Sequence, residues 1–203
     1  MFIYNWPMSS IGVGAFYYYK KDQDTILLLQ KRSEKMFHAP GEIDVTGGYS
    51  DTGIEQNGNF ESLPESLIRE TGEEIGWDFV NALPKNPFTM KNIALIRQKS
   101  DIKFDIDPKG FLYFRAKLKA FFQNIKPKQH TSQQMNFSFI WVLEVSEETA
   151  HKAIIADPDE VAELVHINMK DIQETPLVRP WIKEHIPTLI HEGYFHSRKK
   201  TSM

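Results

Sequence analysis

One stretch constrains this chain more than any other: Glu61 to Trp77, which reads Glu-Ser-Leu-Pro-Glu-Ser-Leu-Ile-Arg-Glu-Thr-Gly-Glu-Glu-Ile-Gly-Trp. Ser62 and Glu65 stand at the spacing of a capping box. Pro64 falls in the first turn, where an absent N–H is not missed, and Gly76 is placed to end the helix. Leu67, Ile68, Thr71 and Ile75 recur at helical spacing and form a mostly apolar shoulder. Glu70, Glu73 and Glu74, at i, i+3 and i+4, share an arc of roughly 100°.

Three carboxylates on one arc repel one another, at about 0.2–0.5 kcal/mol for a pair four residues apart. Arg69 offsets only part of this. Two readings follow: a solvated acidic face, or a site where a hard divalent cation such as Mg²⁺ or Mn²⁺ is held by carboxylate oxygen. The wider spacing favours the second. Glu61, seven residues, then Arg69-Glu70-x-x-Glu73-Glu74-x-Gly76 and the bulky Trp77 resemble the Nudix box of the Nudix hydrolases. That pattern opens with a glycine six positions before its first glutamate, and here the position is Glu55. Gly48, of Gly47-Gly48, is the natural counterpart. Twelve residues then separate it from Glu61 where the pattern has five, an insertion of seven within Tyr49–Phe60. Thr71 also stands where the pattern has an apolar residue.

The resemblance implies a Nudix-like α-β-α sandwich with a mixed sheet, an α/β fold, over one domain of residues 1–203. Its core would span about 11–189, with 196–203 a flexible tail. It implies a divalent-metal-dependent hydrolase that cleaves a phosphoanhydride of a nucleoside diphosphate linked to another group. Glu70, Glu73, Glu74 and Gly48 would hold Mg²⁺ or Mn²⁺, Glu70 and Glu73 would serve catalysis, and Arg69 would pair with a box glutamate and fix its direction. A glutamate on a later loop often serves such enzymes as general base or extra ligand. Glu160, in Asp157-Pro-Asp-Glu160, is the candidate and Glu163 the alternate, although the same residues also make an ordinary turn. A non-catalytic nucleotide-binding module is the rival reading, favoured by the insertion and by Thr71.

Composition narrows the partners. A net charge of −3 gives no global basic field to recruit nucleic acid, so any nucleotide must be gripped locally or through a metal. The absence of cysteine excludes disulfides, thiolate metal sites and the cysteine chemistry of the isopentenyl-diphosphate isomerases that share the Nudix fold. It fits a cytoplasmic location. The N-terminus has no basic and apolar leader, and no apolar run is long enough to span a membrane. Family members are often dimers, which leaves a homodimer open here.

The rest of the chain reads as strands around the helix. Ile11–Tyr19 and Thr25–Gln30 form a hairpin, and Tyr17, Tyr18 and Tyr19 could stack on a base but suit strand packing better. Leu28–Ser33 with Gly41 and Gly47-Gly48 has the spacing of an added motif in coenzyme A-type Nudix pyrophosphatases, with Phe37 and Thr46 in place of its arginine and proline. A loop follows at Asn81–Phe88. Strands are expected at Lys91–Gln98, Gly110–Phe122, Asn136–Val145 and Leu164–Ile167. Gln123–Gln134 reads as a polar loop, with Lys126, Lys128 and His130 as possible phosphate contacts. Ser146–Ala156 reads as a short helix, and Pro176–Leu189 as an amphipathic helix that Pro180 and Pro187 could break.

Overall fold

The computed structural model describes residues 9–36, 38–49, 61–89, 92–103 and 131–195. They fall into two compact units. One, residues 11–96 and 138–203, holds both hydrophobic clusters and the candidate site. The other, residues 1–10 and 97–137, contributes only strand ends to the described part. Among the described residues no helix is long and apolar enough to cross a membrane.

Strands β1 (Ser9–Lys21) and β2 (Asp24–Arg32) form an antiparallel hairpin, with Tyr17 opposite Leu28 and Lys21 opposite Asp24. The turn is tighter than the Lys20–Asp24 span expected, because Asp22 takes a φ of 54°, a conformation that aspartate tolerates. Short strands β3 (Ile43–Asp44) and β4 (Thr46–Tyr49) follow, then helices α1 (Leu63–Ile75) and α2 (Trp77–Ala82). Beyond them come β5 (Ile93–Lys103), β6 (Thr131–Glu144), the one-turn α3 (Glu147–Ala150), β7 (Val161–Asn168), a 3-10 turn at Met169–Asp171 and α4 (Pro180–His191). Among the described residues seven strands make one mixed sheet in the order β3-β2-β1-β6-β5, with β4 also on β1 and β7 also on β2.

Alternation along the strands builds both layers. Val13, Ala15, Tyr17, Tyr19, Leu28 and Trp141 face one way and bury Leu67, Ile75 and Phe79 of α1 and α2. Phe16, Tyr18, Leu27, Leu29, Ile140 and Val142 face the other way and bury Ile182, Ile186 and Leu189 of α4. The three tyrosines are core residues, all at most 4% exposed. This is the helix–sheet–helix sandwich expected.

Several boundaries differ from expectation. Gly76 ends α1 as expected, but α2 starts directly after it, which takes Asn81 and Ala82 out of the expected loop. The helix expected at Ser146–Ala156 is one turn long, because residues beyond it turn back to cap α1: Ile154 N–H donates to Ile75 O (3.0 Å) and Ala156 N–H to Glu74 O (3.1 Å). Thr131–Gln134 belongs to β6, not to a loop. Gly110–Phe122, residues 123–130 with Lys126, Lys128 and His130, Phe37, the 50–60 part of the insertion and the 196–203 tail lie outside the described residues. Pro187 stays inside α4. The carbonyl it cannot bond, that of Lys183, accepts instead from Gln173 Nε2 at 2.8 Å, while Lys183 Nζ donates back to Gln173 O.

Thr71 takes the apolar position of its helix by satisfying its hydroxyl. Fully buried, it donates to Leu67 O (2.6 Å), so Tyr17 OH, 2.8 Å away, must donate to it. Thr71→Val leaves that buried phenol without an acceptor and is expected to cost about 1–3 kcal/mol in urea unfolding. Adding Tyr17→Phe removes the unpaired hydroxyl, so the double variant is expected to lose less than the sum of the two single losses. Additive losses would refute the pairing.

Candidate active site

The acidic helix is held at both ends by local chemistry. Ser62 caps its N-terminus: Glu65 N–H donates to Ser62 Oγ (3.4 Å) and Ser62 N–H to Glu65 Oε2 (2.8 Å), with Pro64 in the first turn. A cap of this kind stabilises by about 1 kcal/mol. At the other end the φ of Gly76 favours glycine, and a Cβ there would lie 2.8 Å from Ile154.

Arg69 organises the exposed acids. Its Nε and Nη2 donate to the two oxygens of Glu61 (3.0 and 3.3 Å), a two-point grip across eight residues. Its Nη1 lies 2.8 Å from Glu70 Oε1 and 2.9 Å from Glu73 Oε2. Glu73 is 54% exposed, and a four-residue ion pair so open to water adds little stability. Glu70 is more enclosed and packs on the glycine pair. A Cβ at Gly48 would fall 2.5 Å from its carboxyl carbon, so only glycine permits this approach.

Glu74 is set apart. It is 2% exposed, and both of its oxygens accept from neutral donors: Gln30 Nε2 to Oε1 at 2.9 Å and Gly47 N–H to Oε2 at 2.8 Å. No cation pairs with it among the described residues. Burial pushes its carboxyl up to about 8, against the pull of those two donors, and the charges of Glu70 and Glu160 add to the rise. Burial also raises Glu70. Arg69 opposes that shift, and Glu73 and Glu160 reinforce it.

Glu160 therefore lies close enough to act on Glu70 and Glu74. It sits at the entry to β7, where its carbonyl accepts from Ser33 N–H (2.8 Å). Glu163 is exposed within β7, opposite Lys31, and so lies on the other face of the sheet from Gln30. The structure thus gathers Arg69, Glu70, Glu73, Glu74, Gly48 and Glu160, and leaves Glu163 out. Gln30 was not singled out in the sequence, although a signal exists: it is a polar residue on the inward face of an apolar strand, two positions after Leu28. His38 is exposed, and its carbonyl accepts from Arg32 Nε (3.0 Å). Thr46 is buried opposite Ala15.

The donor set suits a hard divalent cation. Arg69 pairs with Glu61, Glu70 and Glu73, the charge of Glu160 acts on Glu70 and Glu74, and Gly48 brings backbone against Glu70. As they stand, no three His, Cys, Asp or Glu side chains among the described residues are arranged to hold an ion. Arg69 draws Glu70 and Glu73 to itself, so ion binding requires at least Glu73 to turn away from it.

No protein-family model and no curated protein matches this sequence. The architecture does have counterparts. A MutT protein from Methanosarcina mazei Go1 superposes with a TM-score of 0.53 at 16% identity, over 91% of this chain and 95% of that one. The fold is that of MutT and Nudix proteins. Two further Nudix-type structures are weaker matches, each with a TM-score of 0.49. One is the Nudix domain of Shewanella oneidensis NrtR complexed with ADP ribose, at 13% identity over 95% of this chain and 92% of that one. The other is a C. elegans Ap4A hydrolase, at 12% identity over 90% and 96%. Identities this low establish the fold alone. The Nudix fold places α1 against β4, where the acids meet the glycine pair.

The raised Glu74 carboxyl has a consequence for stability. The folded metal-free chain keeps a proton on Glu74 that the unfolded chain releases above about pH 4.5, its ordinary value. Stability is therefore full below that pH and falls as pH rises toward 8, by up to about 1.4 kcal/mol per pH unit from this group. Glu74→Gln is expected to flatten the slope of urea midpoint against pH between about 5 and 8. An unchanged slope would contradict the burial of an unpaired acid.

Proposed function

We propose that the protein is a divalent-metal-dependent Nudix-type pyrophosphohydrolase that cleaves a phosphoanhydride of a nucleoside diphosphate linked to another group. The observation that carries this reading is Glu74: a buried carboxyl beside Glu70 and Glu160, with no cationic partner among the described residues. Its ionised form is costly to bury unless a cation offsets it.

Glu70, Glu73 and Glu74 would hold Mg²⁺ or Mn²⁺, with the backbone of Gly48 beside Glu70. When bound, a divalent ion supplies the positive charge a diphosphate requires and makes a nearby water more acidic. The chain's own groups do the rest. Arg69 keeps Glu61 and the box acids in register. Glu160 or Glu70 accepts the proton of the attacking water, since both are carboxylates beside the cluster. The glycines of β4 let backbone meet the acids directly, Gly47 through its N–H to Glu74 and Gly48 against Glu70. The products are two phosphate-bearing fragments, or a monophosphate and pyrophosphate. The insertion between Gly48 and Glu61 would lengthen the loop ahead of the acidic helix without altering the helix.

One observation favours a second reading, a nucleotide-binding module without turnover: Arg69 ties Glu70 and Glu73 together and leaves no ready-made cage. A substrate panel separates the two. It comprises nucleoside triphosphates, ADP-ribose, NADH, dinucleoside polyphosphates, coenzyme A and sugar nucleotides, with a coupled phosphatase to release phosphate. Turnover of one class is expected only with Mg²⁺ or Mn²⁺, and is lost in Glu73→Gln/Glu74→Gln. Glu160→Gln is expected to lower kcat by about 10²–10⁴ if it is the base. Ligand-induced thermal shifts without turnover would support the binding module instead.

A further inference from the structure

The hydrolase reading leaves one buried polar side chain without a role. Gln30, in β2, is 1% exposed and points to the α1 side of the sheet, as Leu28 does. Its Nε2 donates to Glu74 Oε1 at 2.9 Å, while its own Oε1 has no partner among the described residues. An apolar residue at this position would avoid burying an unpaired oxygen. Fold stability alone therefore does not explain an amide here, whereas its donor half has a clear target.

We infer that Gln30 is a positioning residue for the metal site: its amide orients the Glu74 carboxylate toward a divalent cation without neutralising it. The inference rests on the hydrolase reading. A carboxylate has about four lone-pair sites, and two of those on Glu74 are taken by Gln30 Nε2 and Gly47 N–H. Two donors from different strands set the plane of the group and leave the remaining lone pairs for an ion. A lysine or arginine in place of Gln30 would put a positive charge where the cation must come. Glu70 and Glu73 show the contrast, since both already pair with Arg69. Of the two donors on Glu74, the Gly47 N–H is backbone, so Gln30 alone can be tested by substitution. Outer partners of this kind typically change metal affinity 10–100-fold when lost.

The test is Mn²⁺ binding to the full chain, read from the free-ion signal in electron paramagnetic resonance, with thermal melting of the metal-free protein alongside. Gln30→Met keeps the shape of the side chain and removes the donor; Gln30→Leu is a second variant should the first not fold. The Mn²⁺ dissociation constant is expected to rise about tenfold in either. In a Glu74→Gln background the same substitution is expected to change it by less than about twofold, because the oriented group is gone. A loss of melting temperature with Mn²⁺ affinity unchanged would make Gln30 merely structural and overturn the inference. So would an equal loss of affinity in the Glu74→Gln background. If the wild-type chain itself binds no Mn²⁺, the metal-dependent hydrolase reading fails and takes this inference with it. Mn²⁺ binding that Gln30→Met leaves intact sinks the inference alone.

Discussion

The burial of Glu74 is the contact on which the arrangement of this site depends. A carboxylate at 2% exposure must find hydrogen-bond donors, and it finds them on two strands, β2 through Gln30 and β4 through Gly47. Those bonds fix the C-terminal half of α1 against the sheet. They also fix its rotation, since Leu67, Ile75 and Thr71 then face the core, Glu70 lies against Gly48 and Glu73 faces solvent. Hydrophobic burial holds the helix down, but it would tolerate a small roll. A buried acid with directional donors tolerates far less.

Charge balance explains the rest of the edge. Among the described residues Arg69 pairs with Glu61, Glu70 and Glu73, while Glu74 meets the neutral donors Gln30 and Gly47. The cluster therefore divides into an outer part that Arg69 partly compensates and an inner part, around Glu74, that it does not. Glu160 enters from β7 and adds to the inner part, raising both Glu70 and Glu74. Under the proposed function a polyanionic substrate needs positive charge, and the inner acids are where a cation would bring it in. The glycines serve the same end. With no side chain at Gly48, backbone and carboxylate come into contact instead of being held apart.

Much of this was legible in the chain. The capping box, the break at Gly76, the alternating strands and the amphipathic last helix all follow from local chemistry that operates over a few residues. The misjudged boundaries share one cause. The α3 helix is cut short because its continuation caps α1, and the expected loop starts late because a second helix follows Gly76 and packs Phe79 beside Tyr17. Pro187 stays within α4 because Gln173, outside that helix, accepts the role of partner to the freed carbonyl. Each is a tertiary contact overriding a local signal. Thr71 looks like a defect when only its helix is considered, and becomes ordinary once Tyr17 stands across from it.

By itself the sequence determined the acidic helix, its caps, the glycine pair and the alternation of the strands, because each depends on residue type at short fixed spacing. Tertiary structure alone decided which acid is buried and which is not. Glu73 and Glu74 are neighbours of the same chemistry, yet one is solvated and the other enclosed, since adjacent helix positions are about 100° apart and only one can meet the sheet. It likewise decided that Gln30 touches Glu74 and that Glu160 lies near enough to act on Glu70 and Glu74. Electrostatic neighbours are set by distances between elements far apart in the chain, and spacing along the chain carries no record of those distances.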